Sequence, residues 1–160
     1  MSKKTELAEK AAAIAKTYEF DYGCCPQCVL AAVKETVPGN KVTDETIKAS
    51  HGLSGGGALT GTGLCGSLIG GLLVLGSKRG RDRDKFEKGK FVGNFKLCND
   101  LVEEFQTEFG GSTCQKLQQQ FTGQTYDLWN AEQYQAFSDA RGEQCANTAE
   151  WVTRWVVKRT

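Results

Sequence analysis

The sequence predicts an all-α, single-domain bundle of about five to six helices, with a glycine-rich loop leading into a central apolar helix. Three observations carry this. Val, Ile and Thr never alternate with polar residues over the length of a strand, so no half-buried strand is legible. Apolar residues recur instead at spacings of three and four. The 160 residues include only 2 Pro and show no linker-like change of composition, which fits one domain over 1–160. A chain of this length buries enough surface to fold without a disulfide or metal staple.

Each element has a local reason. Within the N-terminal segment 1–20, Thr5 to Tyr18 is rich in Ala, Glu and Lys, all strong helix formers. Pro26 to Thr36 forms the second helix with Cys25 at its N-cap, because proline favours the first helical position. Val37-Pro38-Gly39-Asn40 is a turn, and Thr43-Asp44-Glu45-Thr46 opens a short helix to Ser50. His51 to Gly63 is the glycine-rich loop. Leu64 to Leu75 (LCGSLIGGLLVL) is an apolar helix that Gly76 stops, followed by a charged loop from Ser77 to Asp84. Lys85 to Phe109 is the longest helix, with a stripe of Phe91, Phe95, Cys98, Val102, Phe105 and Phe109. Gly110-Gly111 ends it. Thr113 to Gln120 is a short helix, Thr122 to Asn130 is irregular, and Ala131 to Phe137 is helical. The last helix runs from Gly142 to Lys158 with Trp151 and Trp155 on one face. That face and the apolar helix serve either as core or as a surface for a homo-oligomer.

Charge and hydropathy narrow the function. Lys+Arg 20 against Asp+Glu 19 leaves no basic excess for gripping nucleic acid. Lys78, Arg79, Arg81 and Arg83 cluster, but Asp82 and Asp84 interrupt them, as in a solvated loop that could steer an acidic partner. Charges at Glu6, Glu9, Lys10 and Lys16 break any secretory signal. The apolar stretch is well short of the roughly 20 residues that span a bilayer. The expectation is a cytoplasmic protein without membrane insertion, in a compartment that keeps thiols reduced. Seven cysteines there point to metal or redox chemistry rather than a disulfide framework.

Four of the seven open helices: Cys25 before Pro26, Cys65 after the glycine run, Cys114 after Ser112-Thr113, and Cys145 after Gly142. Helix N-termini offer unpaired amides and partial positive charge, which favour thiolates. If these helix starts converge, four thiolates meet in one amide-rich pocket able to hold a metal centre. Cys98 belongs to the core stripe. Cys28 makes a Cys-x-x-Cys with Cys25, a redox pair in thioredoxin-like βαβ folds, but no such pattern surrounds it. Cys24 is a spare thiol or a reserve ligand. Two short cysteine pairs, the usual zinc signature, are absent, and so are the ferredoxin spacings. Val29 rather than His follows Cys28, which excludes c-type haem attachment. His51, the single histidine, cannot build a Rieske site alone. Gly61-Thr62-Gly63 lacks the Lys and the preceding strand of a phosphate loop.

The cysteine pattern resembles the C_GCAxxG_C_C family of redox-active proteins. Cys25-Pro26-Gln27-Cys28 is similar to its first cysteine segment, and Cys65-Gly66-Ser67-Leu68-Ile69-Gly70 to its central motif, with Ser67 in place of Ala. Gly111-Ser112-Thr113-Cys114 and Cys145 correspond to the third and fourth segments, so the likeness spans 22–157. The resemblance implies a helical domain with a four-cysteine redox centre. Its kinship to the iron–sulfur part of split-Soret cytochromes c implies an iron–sulfur cluster. On that reading Cys25, Cys65, Cys114 and Cys145 are the cofactor ligands, with Cys28 a substitute, and electrons pass to a redox partner protein. Two other readings stand beside it: a metal-free thiol–disulfide protein using Cys25 and Cys28, and a zinc-stapled helical interaction module.

Overall fold

The computed structural model describes residues 1–160. It contains eight α-helices: α1 (Lys3–Tyr22), α2 (Cys25–Thr36), α3 (Asp44–Ala49), α4 (Gly66–Arg79), α5 (Val92–Phe109), α6 (Cys114–Thr122), α7 (Ala131–Arg141) and α8 (Gln144–Arg159). Two 3₁₀ segments, His51–Leu53 and Arg83–Lys88, interrupt the connections. There is no strand, only one isolated antiparallel bridge between Leu64 and Thr113. The all-α expectation holds. The count is eight rather than five to six, because the short helices expected near Thr43–Ser50, Thr113–Gln120 and Ala131–Phe137 all stand as separate elements, α3, α6 and α7.

Packing follows side-chain size. α1 buries Ala8, Ala11, Ala12 and Ala15 along one stripe, and these small residues let α8 lie close against it, in the largest helix–helix contact of the fold. α4 sits between α2 on one side and α5 and α8 on the other. Its glycines permit this approach: a Cβ on Gly70 would stand 2.8 Å from Val29 Cβ, and one on Gly71 2.5 Å from Val152 Cγ1. Leu30, Leu68, Leu75, Leu101, Phe105, Val152 and Val156 fill the centre and are wholly buried. Each contributes about 1.5–3 kcal/mol by leaving water.

Two boundaries differ from expectation. Gly76 does not stop α4, because it keeps helical backbone; the helix runs to Arg79, where Gly80 N donates to Gly76 O. α5 begins at Val92, not Lys85. Gly89 (φ 123°) and Phe91 (φ 55°) leave the right-handed region and break the helix there. Phe91 is therefore a cap, and Phe95 is exposed. The buried stripe of α5 is carried by Leu101 and Phe105, with Cys98, Val102 and Phe109 packed partly against the core. Trp151 meets Phe105 and Phe109 edge-on, with ring centroids 5.9 Å away in both cases. Trp155 is buried and donates to Glu104 Oε2 at 2.7 Å. Trp155, Leu68, Val74 and Leu75 are buried in the core, whereas Trp151, Leu72 and Leu73 pack against it half-buried. No helix is long and apolar enough to cross a membrane.

Candidate functional site

The site begins with the glycine loop. Residues 55–59 and Gly61 all carry positive φ, Ala58 and Leu59 included. The chain coils so tightly that a Cβ on Gly56 would meet Gly61 C at 2.7 Å. Gly61 N donates to Gly55 O at 2.8 Å and Gly63 N to Gly56 O at 2.9 Å. The coil presents its outgoing edge to the start of α6. Cys65 N donates to Ser112 O (2.8 Å), Cys114 N to Gly63 O (3.0 Å) and Gln115 N to Gly61 O (2.8 Å). Together with the Leu64–Thr113 bridge, these bonds tie the Cys65 segment to the Cys114 segment through backbone alone.

All four helix-opening cysteines line one cavity of about 80 Å³. Cys25 is the first residue of α2, with Cys24 rather than Cys25 in the cap position. Cys65 caps α4. Cys114 is the first residue of α6, whose Thr113 cap accepts from Lys116 N at 3.2 Å. Cys145 is the second residue of α8. Ser54, Gly55 and Leu59 of the loop form one wall, and Tyr134, Phe137, Ser138 and Arg141 of α7 form another.

Each of the four sulfurs has a polar side chain beside it. Cys25 Sγ lies 3.5 Å from Glu19 Oε1 and donates to it. Cys65 Sγ lies 3.9 Å from Thr148 Oγ1, which is 2.8 Å from Ser67 Oγ. Gln118 Nε2 donates to Cys114 Sγ at 3.5 Å. Arg141 stands by Cys145, where its guanidinium favours the thiolate of that residue. Arg141 Nη1 also donates to Glu19 Oε1 at 3.0 Å, which closes the ring of companions with an ion pair. Glu19 is 2% exposed and Arg141 17% by side chain. Arg141 Nε is buried without a partner.

The thiolate expectation is corrected here. Burial pushes the Cys25 thiol well up, reinforced by the Glu19 charge. Burial also raises Cys65, against the pull of the Leu68 and Ser67 amides. Cys114 rises to about 11 despite the Gln118 hydrogen bond, and Cys145 to about 12 despite Arg141. Desolvation outweighs the helix N-termini because a thiolate with no bound cation has little to replace lost water. The metal-free site therefore holds thiols at neutral pH.

Of the other three thiols, Cys28 and Cys98 lie apart and Cys24 does not. Cys28 donates to Gly23 O at 2.9 Å and borders a separate hollow with Tyr18 and Ile47, its pKa raised to about 12 by burial. Cys25 and Cys28 do not share a cavity. Cys98 packs on the core face of α5, away from the site. Cys24 lines the cavity in a left-handed backbone conformation, φ 60°. His51 is exposed in its 3₁₀ turn.

Glu19 and Arg141 were not singled out from the sequence. Glu19 carried a signal, since it continues the alanine stripe of α1 four residues after Ala15. Arg141 carried none, because only the tertiary fold brings the end of α7 to α1.

No group of three or more His, Cys, Asp and Glu side chains is arranged to hold a single metal ion. The four sulfurs stand around a cavity rather than around a point. The donor set of four thiols, amide-rich helix starts and one unspent guanidinium N–H suits a bulkier anionic group.

No curated protein and no solved structure matches the chain. Residues 23–159 match the family described as "Putative redox-active protein (C_GCAxxG_C_C)". With nearly its whole length matched and the four helix-opening cysteines gathered at one cavity, the chain belongs to the C_GCAxxG_C_C family.

Proposed function

We propose that this is an electron-transfer protein whose cavity holds an iron–sulfur cluster through Cys25, Cys65, Cys114 and Cys145. One observation carries the reading. The four cysteines that open four separate helices line a single cavity, with Cys24 beside Cys25 at its wall, while Cys28 and Cys98 stay outside it. A bound cluster would supply reversible one-electron chemistry. The chain's own residues supply the rest. The helix-start amides and Arg141 favour added negative charge. Leu59, Leu117, Phe121, Leu128 and Phe137 keep the cavity apolar, which limits water.

Zinc is the weaker reading, because the sequence lacks the two short cysteine pairs of its usual sites. A metal-free dithiol is weaker still. It needs a reactive thiolate pair, whereas Cys25 and Cys28 face different hollows and both titrate high. A reducing compartment such as the cytoplasm keeps the thiols available for ligation. Electrons pass to a redox partner protein.

Anaerobically purified protein should contain iron and acid-labile sulfide in similar amounts and bleach with dithionite. Colourless protein with zinc, or metal-free protein with a fast, reversible Cys25–Cys28 disulfide, would overturn the reading.

A further inference from the structure

Of the four companions around the cysteines, two are neutral and two are charged. Thr148 and Gln118 bring dipoles to Cys65 and Cys114. Glu19 brings a carboxylate to Cys25, and Arg141 brings a guanidinium to Cys145. The charges come from the two helices that complete the cavity without donating a cysteine: Glu19 from α1 and Arg141 as the last residue of α7.

We infer that Arg141 and Glu19 set the reduction potential of the centre from opposite sides, Arg141 raising it at Cys145 and Glu19 lowering it at Cys25. The inference rests on the cluster reading and deepens it. Reduction adds one electron and breaks no bond, so what matters is how the surroundings treat one extra negative charge. A charge held a few ångströms away in a half-dry cavity acts far more strongly than one in water. Arg141 stabilises the reduced form. Its unpartnered buried Nε–H is a donor not yet committed to any protein group. Glu19, which can only accept hydrogen bonds when ionised, opposes reduction. The 3.0 Å ion pair keeps both side chains in place. Both are positioning residues in this account, because they act through the cysteines.

A purely structural ion pair makes a different prediction. Breaking it from either end would loosen the fold in the same sense, since each change leaves one buried charge uncompensated. Tuning requires effects of opposite sign.

The test is a dithionite redox titration of the iron-loaded protein, followed by visible absorption and by the spin signal of the reduced form. At the wild-type midpoint, Arg141→Gln should lower the reduced:oxidised ratio at least about tenfold, a fall of about 59 mV for a one-electron couple. Glu19→Gln should raise that ratio by a similar factor. The double variant should lie between the two. Arg141→Lys, which keeps the charge, should stay within about threefold of wild type and rescue most of the loss. If Arg141→Gln does not accumulate as folded protein, Glu19→Gln and Arg141→Lys still decide the matter. Shifts of the same sign, or potentials unmoved in loaded variants, overturn this inference and leave the cluster reading intact. Wild-type protein without iron and sulfide overturns the cluster reading and this inference with it.

Discussion

The two ends of α4 contrast in nearly every property. The helix has 14 residues and so spans about 21 Å. At its start, Cys65, Gly66, Ser67 and Leu68 are buried among thiols, glycines and apolar side chains. At its end, Lys78 and Arg79 are exposed, and the following 3₁₀ segment carries Phe86 beneath the guanidiniums of Arg81 and Arg83, 4.5 and 4.9 Å from the ring. Residues 78–96 hold eight Lys and Arg against three Asp and Glu, which leaves twelve against sixteen for the rest of the chain. A nearly neutral protein thus has one strongly basic end. The candidate chemistry sits at the other end, around a cavity whose charged lining residues, Glu19 and Arg141, are paired with each other. The contrast teaches that charge number says little about a site. The same guanidinium is a solvated surface group at Arg83 and a field source at Arg141.

The sharpest way to break this comparison is to delete a sulfur at one end and a charge at the other. Cys65→Ser should lose iron and visible colour almost wholly, while Cys98→Ser and Arg83→Ala retain both, as measured by metal analysis on anaerobic protein. Equal colour in Cys65→Ser and wild type would remove Cys65 from the ligand set.

Packing gives the next largest effect, and α4 contains its own control. Gly71→Ala places a methyl 2.5 Å from Val152 Cγ1 and 2.9 Å from Leu101 Cδ2, and should cost about 1–3 kcal/mol in urea unfolding. Gly76→Ala meets nothing within 4 Å in a helical position, and should gain about 0.4–1 kcal/mol. Equal destabilisation of the two would mean that α4 is not clamped as described.

A further effect appears on raising the pH of metal-free protein. The folded-state thiols of Cys114 and Cys145 titrate at about 11 and about 12, above their ordinary value of 9.0. Their contribution to stability is full below pH 9. It is lost as the pH climbs towards 11–12, because the unfolded chain ionises first. Urea midpoints taken from pH 8 upward should fall. Replacing both cysteines with Ala should flatten that fall.

The smallest change is expected at the basic end. Lys88→Ala removes an exposed cation that has no acidic partner, and should shift stability by no more than about 0.5 kcal/mol in the same assay.

What the sequence disclosed was local. Pro26, Thr113 and the glycine run are short-range signals for where helices begin, so the placement of four cysteines at helix starts was legible. Their convergence was not. It depends on the coil from Gly55 to Gly63 docking on α6, a contact made by backbone groups that leave no residue pattern. The thiolate expectation failed for a related reason. Helix position can be read along the chain, whereas the burial that overrides it is set by α7 and the loop closing from both sides. The start of α5 was misplaced because Lys85 to Phe91 resembles helix in composition, and only the positive φ at Gly89 and Phe91 shows the break.

The packing of α1 against α8 also has a consequence for how the molecule is made. During synthesis α1 emerges more than a hundred residues before α8. Until α8 follows, the alanine stripe of α1 has no covering surface, and the cavity lacks Cys145. A ribosome-bound chain therefore displays up to three of the four thiols without the enclosure around them. Ribosome-bound intermediates should bind iron no better than an unfolded peptide of the same composition, so assembly of the centre is timed by the arrival of the last helix.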